Sequence, residues 1–311
     1  MAPSMQPPDN ELRLGETPEG YRSGFVSLVG RPNVGKSTLL NQILRSKVAI
    51  TSERPQTTRN AIRGILTSPR AQLVFVDTPG LHKPVTALGE RLNRVARSTI
   101  GEVDVAVLLL DGADGVGSGD AYIADVLRTA NIPVVVALNK VDLVDGGHVA
   151  AQRQKATGLG PWPIHETSAR VGSGVPALLS GIVDHLPPGP LYYPPDALTD
   201  QPQRQLIAEL VREKVLDLTR EEIPHAVAVV VDEIERDDGG LRVDAIVYVE
   251  RESQKGIVIG KGGRVLKEVG TKARREIETL LGEHVFLHLR VKVERDWQRR
   301  AAAVERFGYG A

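Results

Sequence analysis

The sequence predicts two α/β units in tandem, a doubly wound and mostly parallel sheet with helices on both faces, followed by a small α+β domain. Three observations predict it. Between about Gly24 and Leu186, short β-branched runs alternate with helical stretches, the order that builds a parallel sheet through crossover helices. Those runs are continuously apolar, as strands covered on both faces must be. A segment with six prolines between Pro187 and Pro202 then stops regular structure, and the order of elements changes beyond it. At 311 residues and 41% hydrophobic content, the chain can bury a core in each unit.

The boundaries follow from the same reading. Residues 1–21 carry acidic groups and prolines where a secretory leader would need an apolar run, so they read as a flexible tail. The first domain spans 22–186, a stiff linker 187–203, the second domain 204–294, and a basic amphipathic helix 295–311. Strands are expected at Phe25–Val29, Leu73–Val76, Val105–Leu110 and Val134–Leu138, with a helix opening at Lys36. The apolar runs are far shorter than the ~20 residues of a membrane-spanning helix. There is no cysteine, which excludes disulfides, thiolate metal sites and a thiol nucleophile. A reducing cytoplasm fits that composition.

In the second domain the pattern reads helix (Gln205–Leu218), strand (Ala226–Glu235), turn (Asp237–Gly240), strand (Leu241–Glu250), two helices and a strand. In that last strand Val285, Leu287, Leu289, Val291 and Val293 alternate with Phe286, His288, Arg290 and Lys292, giving one buried face and one available face. The 39 basic residues balance the 39 acidic ones, yet residues 201–250 hold 6 basic and 12 acidic side chains and residues 251–311 hold 14 and 8. A positive C-terminal part attracts polyanions. Trp297 reads as a packing anchor rather than a platform for bases, Trp162 and the Tyr192–Tyr193 pair as local packing. His225, His284 and His288 lack ligand-like spacing, so no zinc site is expected.

Gly30, Arg31, Pro32, Asn33, Val34, Gly35, Lys36 and Ser37 form a strand–GxxxxGKS–helix unit, a phosphate cradle in its required context. Its backbone N–H groups and the helix N-terminus face phosphate, Lys36 supplies a mobile charge, and Ser37, followed by Thr38, ligates Mg²⁺. Asp77, Thr78, Pro79 and Gly80 follow the next strong strand; Asp77 approaches the metal, and Gly80 N–H the γ-phosphate. Between them a polar stretch should supply a hydroxyl that closes on Mg²⁺ with the γ-phosphate present, Thr58 first and Thr57 as the alternative. Catalytic roles fall to Lys36, Thr58 and Gly80. Asn139, Lys140 and Asp142 supply the base reader. Asp142 accepts from guanine N1–H and the exocyclic amine, a pair adenine lacks, and Ser168–Ala169 presents a backbone N–H to guanine O6. GTP and GDP with Mg²⁺ are therefore the expected ligands.

PQTTRNAIRGI, FVDTPGLHKP, GPLYYP, REKVLDLTREEIPHAVAV and ESQKGIVIGKGG resemble the Era family of GTPases, within the TrmE-Era-EngA-YihA-Septin-like group, from about Gly24 nearly to the C-terminus. The resemblance implies slow, RNA-responsive GTP hydrolysis, binding near the 3′ end of 16S ribosomal RNA, a role in 30S subunit maturation, and peripheral association with the cytoplasmic face of the cell membrane. It points to no obligate protein partner. Where other GTPases place a water-positioning glutamine, this chain has Leu81, so catalysis must rest on the loop, Mg²⁺, backbone groups and a partner or monovalent cation. Asn33 resembles the asparagine of potassium-stimulated relatives, implying K⁺ assistance; the alternative is an asparagine that holds loop geometry. His82 reads as solvated rather than as a base.

Gly260, Lys261, Gly262 and Gly263 form a GxxG loop between two helices, and the order of elements resembles a type II KH domain, an RNA-binding module. The resemblance places the RNA backbone over these glycines, phosphate by Lys261, and bases against Ile257, Val258 and Ile259, with Arg264, Lys267 and Arg274 continuing along the next helix. Two other readings remain open: an RNA-binding scaffold stabilised by nucleotide, and a membrane-linked signalling GTPase.

Overall fold

A computed structural model describes residues 17–51, 62–80, 87–219 and 226–309. The first unit runs β1 (Arg22–Val29), α1 (Lys36–Leu44), β2 (Ile62–Thr67), β3 (Ala71–Asp77), α2 (Ala87–Ile100), β4 (Val105–Asp111), α3 (Ser118–Ala130), β5 (Val134–Asn139), α4 (Gly146–Thr157), β6 (Ile164–Glu166) and α5 (Val175–Val183). Its strands lie in the order β2-β3-β1-β4-β5-β6, and β1, β3, β4, β5 and β6 are parallel. Successive side chains of β4 go to opposite faces: Val107 and Leu109 join Leu28, Leu39 and Phe75, while Ala106, Leu108 and Leu110 join Ile123, Leu127 and Val136. That split explains why the strand reads as one unbroken apolar run.

β2 is the departure from the expected sheet. It pairs antiparallel with β3 and follows a polar stretch, and its own Gly64 weakens the strand signal. A Cβ there would stand 2.6 Å from both Leu40 Cδ1 and Leu44 Cδ1, so any larger residue would have to push these two buried leucines aside.

The proline-rich segment does not hang between the units. Gly189 N–H donates to Tyr21 O (3.2 Å), and Tyr192 and Tyr193 N–H donate to Oε1 of the buried Gln72 (2.7 and 3.0 Å). Ile65 N–H on β2 donates to Leu198 O (2.9 Å), and Arg63 pairs with Asp200. The linker thus covers an edge that would otherwise expose backbone groups.

The second unit runs α6 (Gln203–Leu218), β7 (Ala228–Asp237), β8 (Gly240–Val249), α7 (Glu252–Ile259), α8 (Arg264–Leu281) and β9 (Val285–Val293). β7 and β8 are antiparallel, β8 and β9 parallel. One sheet face packs on α6 and α8 through Val211, Val215, Val243, Val247, Val269 and Ile277. Ile50, which belongs to the first unit by sequence, is buried in that same core.

The end of the chain is not one continuous helix. A 3-10 turn at Trp297–Arg299 precedes α9 (Ala301–Arg306), and left-handed Asp296 (φ 48°) and extended Arg300 interrupt the helical path. Trp297, Val304, Phe307 and Tyr309 cover the other sheet face and meet Leu88 and Leu92 of α2. Trp297 is fully buried and its Nε1 donates to Ala226 O at 2.8 Å, a packing anchor.

Candidate nucleotide site and nucleic-acid groove

The phosphate loop, Asp77, Asn139 and Thr167–Ala169 all lie at the C-terminal ends of parallel strands, where open α/β sheets bind ligands. In the loop joining β1 to α1, Asn33 (φ 65°) and Gly35 (φ 103°) adopt left-handed backbone, the turn that gathers successive N–H groups into an anion-binding concavity. Lys36 is buried, and its Nζ donates to Gly30 O (3.2 Å) and Arg31 O (3.0 Å). Burial lowers its pKa to about 8, against the opposing pull of Asp77.

Ser37 Oγ donates to Asp77 Oδ2 at 2.6 Å, so the two side chains read as Mg²⁺ partners are already adjacent. Thr78 Oγ1 donates to Leu28 O at 2.9 Å, and Pro79 is buried. Gly80 passes so close to the loop that a Cβ would stand 2.8 Å from Pro32 N. Arg31 keeps only its backbone with the loop. Its guanidinium donates to Asp120 Oδ1 (2.8 Å) and Gly115 O (2.9 Å), bracing the loop from behind. Val34 is buried against the first core.

Asn139 ties three loops together. Its Nδ2 donates to Val34 O (2.9 Å), and its Oδ1 accepts from Ala169 N (2.9 Å). The Ala169 amide expected to face guanine O6 therefore already has a partner within the protein. Ser168 N–H donates to Ser173 O, and its Oγ accepts from Val171 N. Lys140 is left-handed (φ 64°), and its Nζ pairs with Asp111 Oδ2 at 2.6 Å. Asp142 stands exposed on the short turn Val141–Leu143. A cleft of about 800 Å³ opens over these elements, lined by Asn33, Gly35, Thr38 and Lys140 and closed opposite by Lys47, Thr51 and the end of α6. Thr57, Thr58, Leu81 and His82 lie outside the described residues.

In the second unit Gly260, Gly262 and Gly263 all have positive φ (72°, 62° and 76°), forming the turn between α7 and α8. Lys261 and Arg264 are exposed. A groove of about 630 Å³ runs from Gly263 between α8 and β9, past Leu266, Lys267, Gly270, Arg274, Leu287 and Leu289. Of the three residues expected along the apolar wall, Val258 is fully buried in the core, while Ile257, 51% exposed, and half-buried Ile259 lie on α7, outside the lining of this groove. Three consecutive helical residues cannot share a face. The alternation of β9 was the available signal for Leu287 and Leu289, and Gly270 opens the groove where a side chain on α8 would meet Leu289.

His284 pairs with Glu278 and His288 with Asp244, and no group of three metal-ligating side chains occurs among the described residues.

Comparison with known proteins covers both units. Residues 25–140 match the family model described as 50S ribosome-binding GTPase, and residues 222–298 the KH domain model. GTPase Era of a Nostoc species is 47% identical, over 96% of this chain and 93% of that protein. GTPase Era of Heliobacterium modesticaldum is 48% identical, over 94% and 98%. Two solved structures superpose with TM-scores of 0.90 at 39% identity: a variant of Aquifex aeolicus Era bound to GDP·AlF4⁻, over 93% of this chain and 100% of that one, and Era in complex with MgGDPNP and nucleotides 1506–1542 of 16S ribosomal RNA, over 94% and 100%.

Proposed function

This chain belongs to the Era family of GTPases, and from that membership we propose that it is a guanine-nucleotide switch whose second unit grips the 3′ end of 16S ribosomal RNA during assembly of the 30S subunit. The observation that carries the RNA half is the superposition, over 94% of this chain, on a relative that holds MgGDPNP and that RNA together. Residues 22–186 act as the nucleotide domain, 187–203 as the linker and 204–294 as the RNA domain, with the described part of 295–311, to Tyr309, packed as their common buttress.

In this reading the N–H groups of Gly30–Ser37 hold the β-phosphate, and Lys36 moves from its carbonyl partners to the phosphates. Ser37 and Asp77 hold Mg²⁺, joined by Thr58, and the metal when bound spreads the charge of the β- and γ-oxygens. Asp142 reads guanine, Lys140 lies along the base, and Asn139 keeps the base loop in register with the phosphate loop. Gly80 N–H reports the γ-phosphate. With Leu81 at the glutamine position, unassisted hydrolysis is slow; Asn33 is the residue that would hold a K⁺ ion, which would supply positive charge beside the phosphates. Lys267 and Arg274 meet RNA phosphate while Leu266, Leu287 and Leu289 receive the bases.

Coupling between the two sites has a physical carrier. Lys47 Nζ pairs with Glu213 (2.5 Å) on α6 and Glu276 (2.7 Å) on α8, and Thr51 N–H donates to Glu213 Oε1 (2.8 Å). The segment leading out of α1 is thereby fastened to the helix that begins at the GxxG loop. Among the described residues no helix is long and apolar enough to cross a membrane.

Crosslinking to cellular RNA, with GDP and with a non-hydrolysable GTP analogue, tests this function. The expected result is enrichment of the 16S 3′ end, stronger with the GTP analogue. Enrichment of unrelated RNAs would overturn the ribosomal reading.

A further inference from the structure

The cleft over the phosphate loop has a wall that the nucleotide domain does not supply. Its far side is the end of α6, which presents Glu213, Lys214, Leu216 and Asp217 across from Asn33, Gly35, Thr38 and Lys140. The phosphate loop fixes where the β-phosphate lies and the Asn139–Asp142 loop where the base lies, so the stretch between them, over Thr38 and beside Lys140, is where the sugar must span. A ribose presents a vicinal pair of hydroxyl donors, and a carboxylate with spare acceptor sites is the side chain that matches them.

Three of the charged groups on this wall are already committed. Glu213 accepts from Lys47, Lys214 and Thr51, while Lys47 and Lys214 are further held by Glu276 at 2.7 and 2.5 Å. Asp217 differs. Its closest ion pair among the described residues is a long 3.9 Å approach to Lys214 Nζ, and its side chain is 46% exposed. Partial burial and the like charge of Glu213 push its carboxyl up, the condition of a carboxylate short of donors.

We propose that Asp217, on the first helix of the RNA-binding unit, is the ribose-reading group of the nucleotide site, accepting hydrogen bonds from the sugar 2′- and 3′-hydroxyls. Lys47, Lys214 and Glu276 act as positioning residues that hold α6 at the required distance. The consequence is that the second unit contacts the nucleotide directly, through the sugar, in addition to sensing the γ-phosphate through the first. The inference rests on the nucleotide-site reading above.

The test uses the full chain and titrates GDP against 2′,3′-dideoxy-GDP. The intact protein is expected to bind GDP about tenfold tighter than the dideoxy analogue, the scale of one charge-assisted hydrogen-bond pair at a half-exposed site. Asp217→Ala should weaken GDP about tenfold, leave the dideoxy analogue unchanged and bring the ratio to about one. Asp217→Asn, which keeps a single acceptor oxygen, should fall between. The exposed position lets either variant fold. An equal GDP-to-dideoxy ratio in the intact protein and Asp217→Ala would overturn the proposal while leaving the nucleotide site standing, and so would an equal weakening of both ligands. Absence of guanine-nucleotide binding in the intact protein would overturn the nucleotide-site reading first.

Discussion

The two glycine loops of this molecule each open a helix, and the phosphate-loop glycines and the Gly262–Gly263 pair serve opposite needs. In the phosphate loop the glycines are packed: a Cβ at Gly30 would stand 2.7 Å from Leu109 O, and one at Gly35 would run into Asn139 Nδ2. In the GxxG loop, a Cβ at Gly262 or Gly263 would meet nothing within 4 Å, although both residues have positive φ. The first loop is a finished socket, held in shape by its own protein. In the second, Gly260 is also packed, a Cβ there standing 2.5 Å from Val265 Cγ2, and it is the outer pair, Gly262 and Gly263, that leaves its surroundings open for a ligand chain to approach. Substitutions should therefore separate them, with the first loop losing ligand and structure together and the second losing ligand while the fold stays.

The largest effect is expected at Gly35. Gly35→Ala adds left-handed strain of about 1–2 kcal/mol and displaces the Asn139 amide, whose two hydrogen bonds are worth about 1 kcal/mol each plus the cost of stranding their partners. The sum is on the order of 4 kcal/mol, roughly a thousandfold loss of GDP affinity by isothermal titration. An affinity within threefold of the intact protein would show that the loop is not the packed socket described.

Asn139→Ala comes next and tests the socket from the other side. It strands Val34 C=O and Ala169 N–H in the interior, which costs about 2–4 kcal/mol of stability. Thermal unfolding of the nucleotide-free protein should show the nucleotide domain melting about 5–10 °C lower. An unchanged melting temperature would mean that the tie between the loops is dispensable.

How much of each loop could be read from the sequence follows the same division. The phosphate and base loops are contiguous, because chemistry at one small group fixes residue types at fixed spacing, so Gly30–Ser37 and Asn139–Asp142 are legible in a single pass. The RNA groove is assembled from α8 and β9, and nothing local announces that Leu266 faces Leu287 and Leu289; hence Val258 was expected at a surface it does not reach. Gln72 is a related case. A polar residue in the apolar run of β3 carries no sequence signal for its role, yet buried it takes both Tyr192 and Tyr193 amides and seats the linker. The broken C-terminal helix escaped for a similar reason, since Asp296 takes a left-handed conformation that few non-glycine residues adopt.

A smaller effect is expected at the open loop. Gly262→Asp places a carboxylate where phosphate should pass, and aspartate tolerates positive φ better than most residues. RNA carrying the 16S 3′ end should bind about thirtyfold more weakly in a filter or anisotropy assay, about 2 kcal/mol. Thermal stability should change by no more than about 1 kcal/mol, and basal GTP turnover should not move. A matching loss of turnover would break the comparison by showing that the open loop is also structural.

The smallest expected effect is a pH dependence peculiar to the packed loop. Burial lowers the Lys36 pKa to about 8, whereas phosphate beside it favours the charged form. Above pH 8, binding GDP must therefore bring a proton with it, and affinity should fall about tenfold between pH 7 and 9, a range in which the last ionisation of the GDP phosphate only adds negative charge and so works against the fall. Stability moves the other way. Between pH 8 and the unfolded lysine value, the unfolded chain binds more protons than the folded one, so this residue's contribution to stability rises with pH in the nucleotide-free protein. The two opposed slopes identify the cause, because general alkaline damage would lower both affinity and stability. Titration calorimetry in buffers of different ionisation enthalpy measures the proton uptake directly.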